Sequence, residues 1–324
     1  MRQADPTPVD SPRDFRVDEM FFSTTDRKGT ILSGNEVFMR ISGYPGSDMV
    51  GRPHNLIRHP DMPRAVFRLV WDYLKRGKAV AGYVKNLAAD GRYYWVVAMI
   101  TPLGHGYLSI RFKPTSALHP VVESLYREMR KIEVEAATRG ADGAAGMNLA
   151  TARMLAALRK LGFADYDAFM CAMLHDELKS RDSTIAQGRG QLLPERIAES
   201  AASDTRGLQS IYKRHKETYR QINALYAKLD EYARLKQELQ SKFDGVADLT
   251  HDFRLVTLNA AIKSAQLGET GLCIGVIADF LGQVSSRISG VCSELTAQMQ
   301  PVAVGLQSVI LDLAAARLQL EMIM

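Results

Sequence analysis

The residues best suited to chemistry in this chain are its cysteines, histidines and carboxylates, and their spacing argues against most kinds of reaction centre. Cys171, Cys273 and Cys292 form no Cys-x-x-Cys pair and have no histidine at zinc-ligand spacing, which favours small, reduced core residues. The run His175-Asp176-Glu177 has metal-ligating side chains but no partner at ligand spacing, so we predict a solvated helix face. Phosphate-binding loops, dinucleotide fingerprints, histidine-kinase boxes, cyclase motifs and catalytic triads are missing from the sequence, and we predict no enzymatic activity.

Composition and charge describe an ordinary soluble protein of two domains, or of one domain with a long helical extension. The 324 residues are 46% hydrophobic and 24% charged. The net charge of +5 comes from interspersed basic and acidic residues, so we predict no nucleic-acid partner. Residues 1–14 are rich in Pro, Asp and Ser and predict a disordered lead-in without the apolar core of a signal peptide. No run of 18 apolar residues occurs, so we predict a cytoplasmic protein without a membrane span.

Residues 15–115 have the pattern of a small α+β domain. Two short strands and several short helices precede three antiparallel strands, an order that leaves one sheet face to cover a ligand. A tight turn is predicted at Gly91, which can adopt a positive φ angle. The predicted strands are residues 21–24, 31–33, 81–87, 92–101 and 107–113, and the helices are Glu36–Ser42 and residues 63–76.

The rest of the chain is predicted to be helical, with a linker region at 116–205 and a long antiparallel hairpin at 206–324. Gly268 and Gly271 mark the point where the hairpin turns back. Each arm has a seam at spacings of three and four, and one seam covers only one face of its helix. We therefore predict a homodimer in which two hairpins form a four-helix bundle. The seam positions are Leu208, Ile211, His215, Thr218, Ile222, Leu225, Leu229, Tyr232, Lys236, Leu239, Phe243 and Val246, then Ile277, Leu281, Val284, Ile288, Val291 and Leu295.

Several short runs between residues 20 and 113 match one known pattern. They include Ser42-Gly-Tyr, the block Arg58-His-Pro-Asp-Met-Pro, Val84-Lys-Asn and Tyr94-Trp-Val. This region resembles the PAS domain of bacterial aerotaxis receptors, and the block at Arg58 is specific to that subgroup. The resemblance implies a five-stranded antiparallel sheet with short helices.

The resemblance also implies non-covalently bound FAD that reports redox state to the motility apparatus. An indole such as Trp71 can stack on the flavin ring, and an amide such as Asn86 can bond to its polar edge. Arg58 and His59 can meet phosphate charge, with Asp61 holding them in place. The implied flavin-binding residues are Asn35, Arg58, His59, Asp61, Phe67, Trp71 and Asn86.

Two departures from the aerotaxis pattern keep other pocket contents open. Ala79 and Val80 stand where the family has a tryptophan, and Leu87-Ala88-Ala89 replaces a basic run. Haem is the alternative cofactor, with His54, His59 or His105 as axial ligand. A PAS domain that binds no cofactor and acts as a scaffold is the other alternative.

The hairpin turn carries a second resemblance. Leu258-Asn-Ala-Ala-Ile, Gly268-Glu and Val276-Ile-Ala are similar to the cytoplasmic tip of methyl-accepting chemotaxis proteins. That resemblance implies docking of a chemotaxis coupling protein and a histidine kinase through Leu258, Asn259, Ile262, Glu269 and Val276. The positions that join receptor dimers into trimers depart from the family, since they are His251, Lys263 and Gln266, and we expect neither trimers nor adaptation by methylation. The sequence as a whole predicts a cytoplasmic sensory transducer of redox, oxygen or energy state.

Overall fold

The computed structural model describes residues 6–188 and 205–323. It divides into two compact units, one made of Met1–Ile222 with Ile310–Met324 and the other of Asn223–Val309. Residues 1–5 of the predicted lead-in and residues 189–204 of the predicted linker region fall outside the described ranges.

A five-stranded antiparallel sheet forms the centre of the first unit, as predicted. Its strands are β1 (Met20–Asp26), β2 (Ile31–Gly34), β3 (Val80–Leu87), β4 (Tyr93–Leu103) and β5 (Gly106–Phe112), in the order β2-β1-β5-β4-β3. Gly91, with φ of 84°, makes the tight turn between β3 and β4. Because side chains alternate along a strand, β3, β4 and β5 each send every second residue to the same face of the sheet.

Short helices cover the first face of the sheet. They are α1 (Glu36–Ser42), α2 (Gly46–Met49), a 3-10 helix (His54–Ile57) and α3 (Arg64–Lys75). Phe21 and Tyr94 from the sheet pack with Phe38 of α1 in a buried apolar cluster. α1 begins at Asn35, whose side-chain oxygen accepts from the Phe38 amide at 3.1 Å, as an N-cap does.

Three longer helices follow the sheet: α4 (Leu118–Thr138), α5 (Gly143–Lys160) and α6 (Tyr166–Gln187). α4 and α6 contact the second face, where Trp95 of β4 lies 4.9 Å from the ring of His119 and the Tyr83 hydroxyl donates to Glu177 at 2.6 Å. α5 packs against α3, α4 and α6. The prediction of a solvated face at His175-Asp176-Glu177 is therefore wrong for Glu177, which is fully buried. A helix that packs on a sheet buries one position in three or four, and Glu177 falls on that stripe.

The N-terminal segment makes backbone hydrogen bonds to the sheet in the part that the structure describes. Residues 9–13 run beside the start of β4, with the Val9 amide donating to the Gly91 carbonyl at 2.7 Å and the Arg13 amide to the Tyr93 carbonyl at 2.6 Å. The Arg13 side chain adds an ion pair with Asp90 at 2.7 Å. These backbone hydrogen bonds offset part of the conformational entropy that the segment loses when it is ordered.

The C-terminal part is a helical hairpin that turns at the predicted glycines. α7 (Thr205–Leu267) leads through a 3-10 turn (Gly268–Gly271) into α8 (Leu272–Ile323). Of the predicted seam positions, Leu208, Ile211, Leu229, Tyr232 and Lys236 have side chains outside the described set.

Within residues 241–299 of the second unit, the buried positions are small and differ from the predicted seam. Ser264 donates to the Gly271 carbonyl at 2.7 Å, and Ser285 donates across to the Thr250 carbonyl at 3.0 Å. The predicted seam residues of α8 are exposed instead, Ile277 by 60% and Val291 by 52%. The buried set is Thr250, Thr257, Ser264, Gly271, Ala278 and Ser285, one residue in every seven.

The stretch Ser241–Met299 is long and apolar enough, by length and composition alone, to cross a membrane. This contrasts with the prediction from apolar runs. The mean hydropathy of an 18-residue window is high in this stretch, although no 18 consecutive residues are all apolar.

Candidate functional site

A cavity of about 320 Å³ lies on the first face of the sheet, between the strands and α3. Its size is near the lower end of the range for small-molecule sites, so it could enclose a ring system, while a long ligand tail would extend beyond it. Alternation along the strands aims Asn86, Ala98, Ser109 and Arg111 at this space.

Two aromatic residues of α3 form one wall of the cavity. Phe67 and Trp71 are four residues apart and therefore share a helix face. Trp71 meets the ring of Tyr107 edge to face at 5.7 Å. Gly29 brings its backbone against the indole, since a Cβ there would lie 3.2 Å from Trp71. The position and orientation of the indole are thus set from two sides.

The start of α3 is held by a carboxylate from outside the sheet domain. α3 follows Pro63 and has no side-chain cap of its own. Glu133 of α4 supplies one, accepting from the Arg64 amide at 2.9 Å and from the Ala65 amide at 2.8 Å. Because helix N-termini attract negative charge, Glu133 stabilises the helix that carries Phe67 and Trp71.

The opposite wall presents buried polar atoms without partners. Among the described residues, Asn86 Nδ2, Ser109 Oγ and Arg111 Nη1 line the cavity and have no hydrogen bond. A buried donor without a partner costs about 1–3 kcal/mol. Three such atoms around one space indicate that the cavity suits a ligand with several acceptor atoms.

Arg111 is held from behind by two side chains. Its Nη2 lies 2.9 Å from Ser23 Oγ and 2.6 Å from His54 Nε2. A guanidinium can only donate, so His54 Nε2 is the acceptor and the ring proton lies on Nδ1. Burial, and then the charge of Arg111, lowers the pKa of His54 to about 3, so this histidine is neutral across the physiological range.

Four of the seven residues implied by the resemblance line the cavity: Arg58, Phe67, Trp71 and Asn86. The Arg58 guanidinium lies 4.1 Å from the centre of the Phe67 ring. Burial lowers the pKa of the Arg58 guanidinium. The backbone of Arg58 also pairs with that of Asn86, which joins the specific block to β3.

The other three lie outside the cavity lining. Asn35 uses its side chain to cap α1 and to bond the Phe22 amide and the Met20 carbonyl. His59 is buried and accepts from the Asp61 amide at 3.2 Å. Asp61 is exposed and pairs with Lys85 at 2.8 Å. The contacts of His59 and Asp61 shape the segment that carries Arg58, and none of the three residues lines the cavity.

The positions that depart from the aerotaxis pattern lie outside the cavity lining. Neither Ala79 nor Val80 lines it, and Ala88 packs in the apolar cluster around Phe21 instead. Of the three histidines considered for haem, only His54 reaches the cavity, and its Nε2 is engaged by Arg111. Within residues 6–188 and 205–323, no cluster of three metal-ligating side chains occurs.

The residues implied in partner docking lie on the surface of the hairpin around its turn. Leu258 is 58% exposed and Val276 71% exposed. Asn259, Ile262 and Glu269 are also exposed. A shallow groove beside them is lined by Leu258, Ala261, Gly275 and Asp279, among others.

Residues 31–107 match the family described as the PAS fold. This domain is a PAS domain. The aerotaxis receptor of Escherichia coli (strain K12) is 40% identical over 117 residues, which are 35% of this chain and 23% of that receptor. The matched part is thus less than a quarter of the receptor's own length.

A second relative matches along nearly the whole chain. The biofilm dispersion protein BdlA of Pseudomonas aeruginosa is 22% identical over 359 aligned residues, covering 89% of this chain and 86% of BdlA. A solved light-oxygen-voltage domain is similar with a TM-score of 0.30 and 21% identity, covering 33% of this chain and 85% of that one. The protein joins a PAS domain to a helical region that resembles that of chemotaxis receptors.

Sequence reasoning missed Ser109 and Arg111 in the cavity. The signal was present, because β5 alternates Tyr107, Ser109 and Arg111 with Leu108, Ile110 and Phe112. Both faces of a central strand covered by helices are expected to be apolar, so a polar row on one face indicates a site.

Proposed function

We propose that this protein is a cytoplasmic sensory transducer whose PAS cavity binds FAD and whose hairpin passes the redox state of that flavin to motility proteins. The observation that carries the proposal is the pairing of an aromatic wall, Phe67 and Trp71, with unpartnered buried polar atoms across the same cavity. A planar ring with polar atoms along one edge needs both features.

The residues present fit a flavin. The indole of Trp71 offers a flat apolar surface, and Asn86 Nδ2 offers a donor to a carbonyl oxygen or ring nitrogen. A cavity of about 320 Å³ accommodates the ring, and the adenine end would extend along the exposed side near Lys28 and Asn55. When bound, the flavin would supply the electron-accepting chemistry, while the protein residues would orient it and exclude water.

The purified 324-residue protein should contain FAD, seen as the visible absorption of flavin, and Trp71→Ala or Asn86→Ala should sharply lower the occupancy. Each substitution removes one of the two recognition features. Trp95→Ala is the matched control, since Trp95 packs on the opposite face against His119. It should cost stability and leave the folded fraction coloured. Colourless wild-type protein that also fails to take up added FAD would contradict the proposal and favour the cofactor-free scaffold, whereas a haem spectrum would favour His54 as ligand.

The output part of the proposal concerns the hairpin. Leu258, Ile262 and Val276 form an exposed apolar patch near the turn, of the kind that docks a partner by burying apolar area. We infer that the hairpin pairs as a homodimer and presents this patch to a chemotaxis coupling protein and its kinase. An equilibrium titration with purified coupling protein that detects no binding at any salt concentration would contradict this part.

A further inference from the structure

The strongest feature that no role yet explains is the buried guanidinium of Arg111. Only 2% of this residue is exposed, yet no carboxylate pairs with it among the residues that the structure describes. The faces of Phe38 and Phe21 lie 5.0 and 5.9 Å from the guanidinium carbon and supply partial compensation. Leaving a buried cation without a counter-charge is unfavourable, and Nη1 in addition has no hydrogen bond.

The orientation of the guanidinium is fixed. Ser23 Oγ and His54 Nε2 both accept from Nη2, at 2.9 and 2.6 Å. The guanidinium is planar and rigid, so holding Nη2 also sets the direction of Nη1. His54 stays neutral, with a pKa lowered to about 3 by burial and by Arg111, and so does not repel the cation in the physiological range. The positive charge therefore remains directed at the cavity.

We propose that Arg111 is the residue that selects the ligand. Its Nη1 binds an acceptor atom on the enclosed edge of the ligand's ring. The inference deepens the proposed flavin function and rests on it. Ser109 is two residues away on β5, about 7 Å along the strand, and faces the same side. Together they specify a flat heterocycle with acceptors at both ends of one edge, as in a cyclic imide.

A phosphate group is the other acceptor that a guanidinium binds well, and the position of Arg111 argues for the ring instead. Arg111 lies on the inner strand β5, beneath Phe38, whereas the exposed side of the cavity is lined by Lys28 and Asn55. A charged phosphate tail fits the exposed side, where water solvates its remaining oxygens.

Riboflavin, FMN and FAD distinguish binding of the ring from binding of a phosphate, because riboflavin has the ring and no phosphate. We would measure the dissociation constant of each ligand for the 324-residue wild type, Arg111→Met, Arg111→Lys and Arg92→Met. For Arg111→Met, we expect all three ligands to bind about 10- to 100-fold more weakly, the loss of one charge-assisted hydrogen bond. The affinities of Arg111→Lys should lie between those of wild type and Arg111→Met, because lysine keeps the positive charge and lacks the planar guanidinium.

Arg92→Met is the matched control, because Arg92 is exposed at the β3–β4 turn and pairs with Asp90. It should bind all three ligands as wild type does. Loss confined to FMN and FAD would overturn the ring assignment, and so would unchanged binding by Arg111→Met. If Arg111→Met does not fold, Arg111→Lys decides by the same comparison. Wild type that binds none of the three would overturn the proposed function and the inference together.

Discussion

Glu177 is an acidic side chain that joins three parts of the first unit. Its carboxylate accepts from the Tyr83 hydroxyl at 2.6 Å, the Thr115 amide at 2.7 Å, the Ser116 amide at 3.1 Å and the Ser116 hydroxyl at 2.9 Å. Burial, and then the carboxylate, raise the pKa of Tyr83, so its hydroxyl remains a donor. α6 is thereby fastened to β3 and to the segment that leaves β5.

Glu177→Gln should destabilise the protein by roughly 2–5 kcal/mol, because an amide nitrogen would face donors in a buried site and the charge-assisted bonds would be lost. Chemical denaturation followed by circular dichroism measures this. Glu294→Gln, the same change at an exposed position of α8, serves as the control and should change little. An equal effect of the two substitutions would mean that the network contributes nothing specific.

The role of a residue such as Glu177 cannot be predicted from the sequence alone. The place of Trp71 and Asn86 in the cavity was predictable, because both belong to the region whose short runs match the aerotaxis PAS pattern. Glu177 and Glu133 gave no such signal, since a single glutamate in a helix is most often solvated and only tertiary packing made these two acceptors. Arg111 lies on a strand whose alternation of polar and apolar residues is visible in the sequence, so its place in the cavity had a local signal.

At the scale of elements, α6 and the end of α8 are joined within the first unit by ion pairs in which both arginines and Glu321 are buried. Arg181 lies 2.6 Å from Glu321, Arg317 lies 2.5 Å from Asp182, and Arg317 also pairs with Glu321 at 3.0 Å. Arg181 in addition donates to the Val17 carbonyl at 3.1 Å, just before β1. The C-terminal helix is thus tied to α6 and, through Arg181, to the entrance of the sheet.

Stability should fall in acid through Glu321. Burial alone would raise its pKa, but Arg181 and Arg317 outweigh burial and lower it. A carboxylate whose pKa is lower in the folded state stabilises the protein above its unfolded pKa and loses that contribution as pH falls through the folded value. Melting curves from neutral pH into acid should therefore decline more steeply for wild type than for Glu321→Gln, which is less stable at neutral pH. Parallel declines would contradict this role.

The elements themselves followed from the sequence more completely than their packing did. All five strands, α1, α3 and the hairpin turn were predicted within a few residues, because turn glycines and period-two runs are local signals. The contact of α4 and α6 with the second sheet face depends on pairs far apart in sequence, such as Tyr83 and Glu177, and no local pattern encodes those.

For the whole molecule, the hairpin leaves most of its apolar surface uncovered. Thr257, Ala278 and the other small residues in contact allow the two helices to approach closely, while Leu281 and Ile288 remain 36% and 42% exposed. Surface of this kind is typical of a helix that packs against further helices. A second hairpin supplies them in the proposed dimer.

Leu281→Lys combined with Ile288→Lys should therefore convert the dimer to monomer, because two charges would be buried in each half of the interface. Analytical ultracentrifugation of the full chain measures the change. The control is Ser286→Lys with Ser293→Lys, which has the same seven-residue spacing on exposed polar positions. Dimers that persist in the first variant would place the main interface elsewhere, for example between PAS domains.

The cap that Glu133 provides on α3 bears on how fragments of this protein behave. A minimal domain cut at residue 115 would contain every cavity residue and lack the carboxylate that holds the Arg64 and Ala65 amides. Losing a cap of this kind costs about 0.5–2 kcal/mol, concentrated at the helix that carries Phe67 and Trp71. Such a fragment could fold and still report too weak an affinity, so ligand measurements on excised domains would understate what the intact chain can bind.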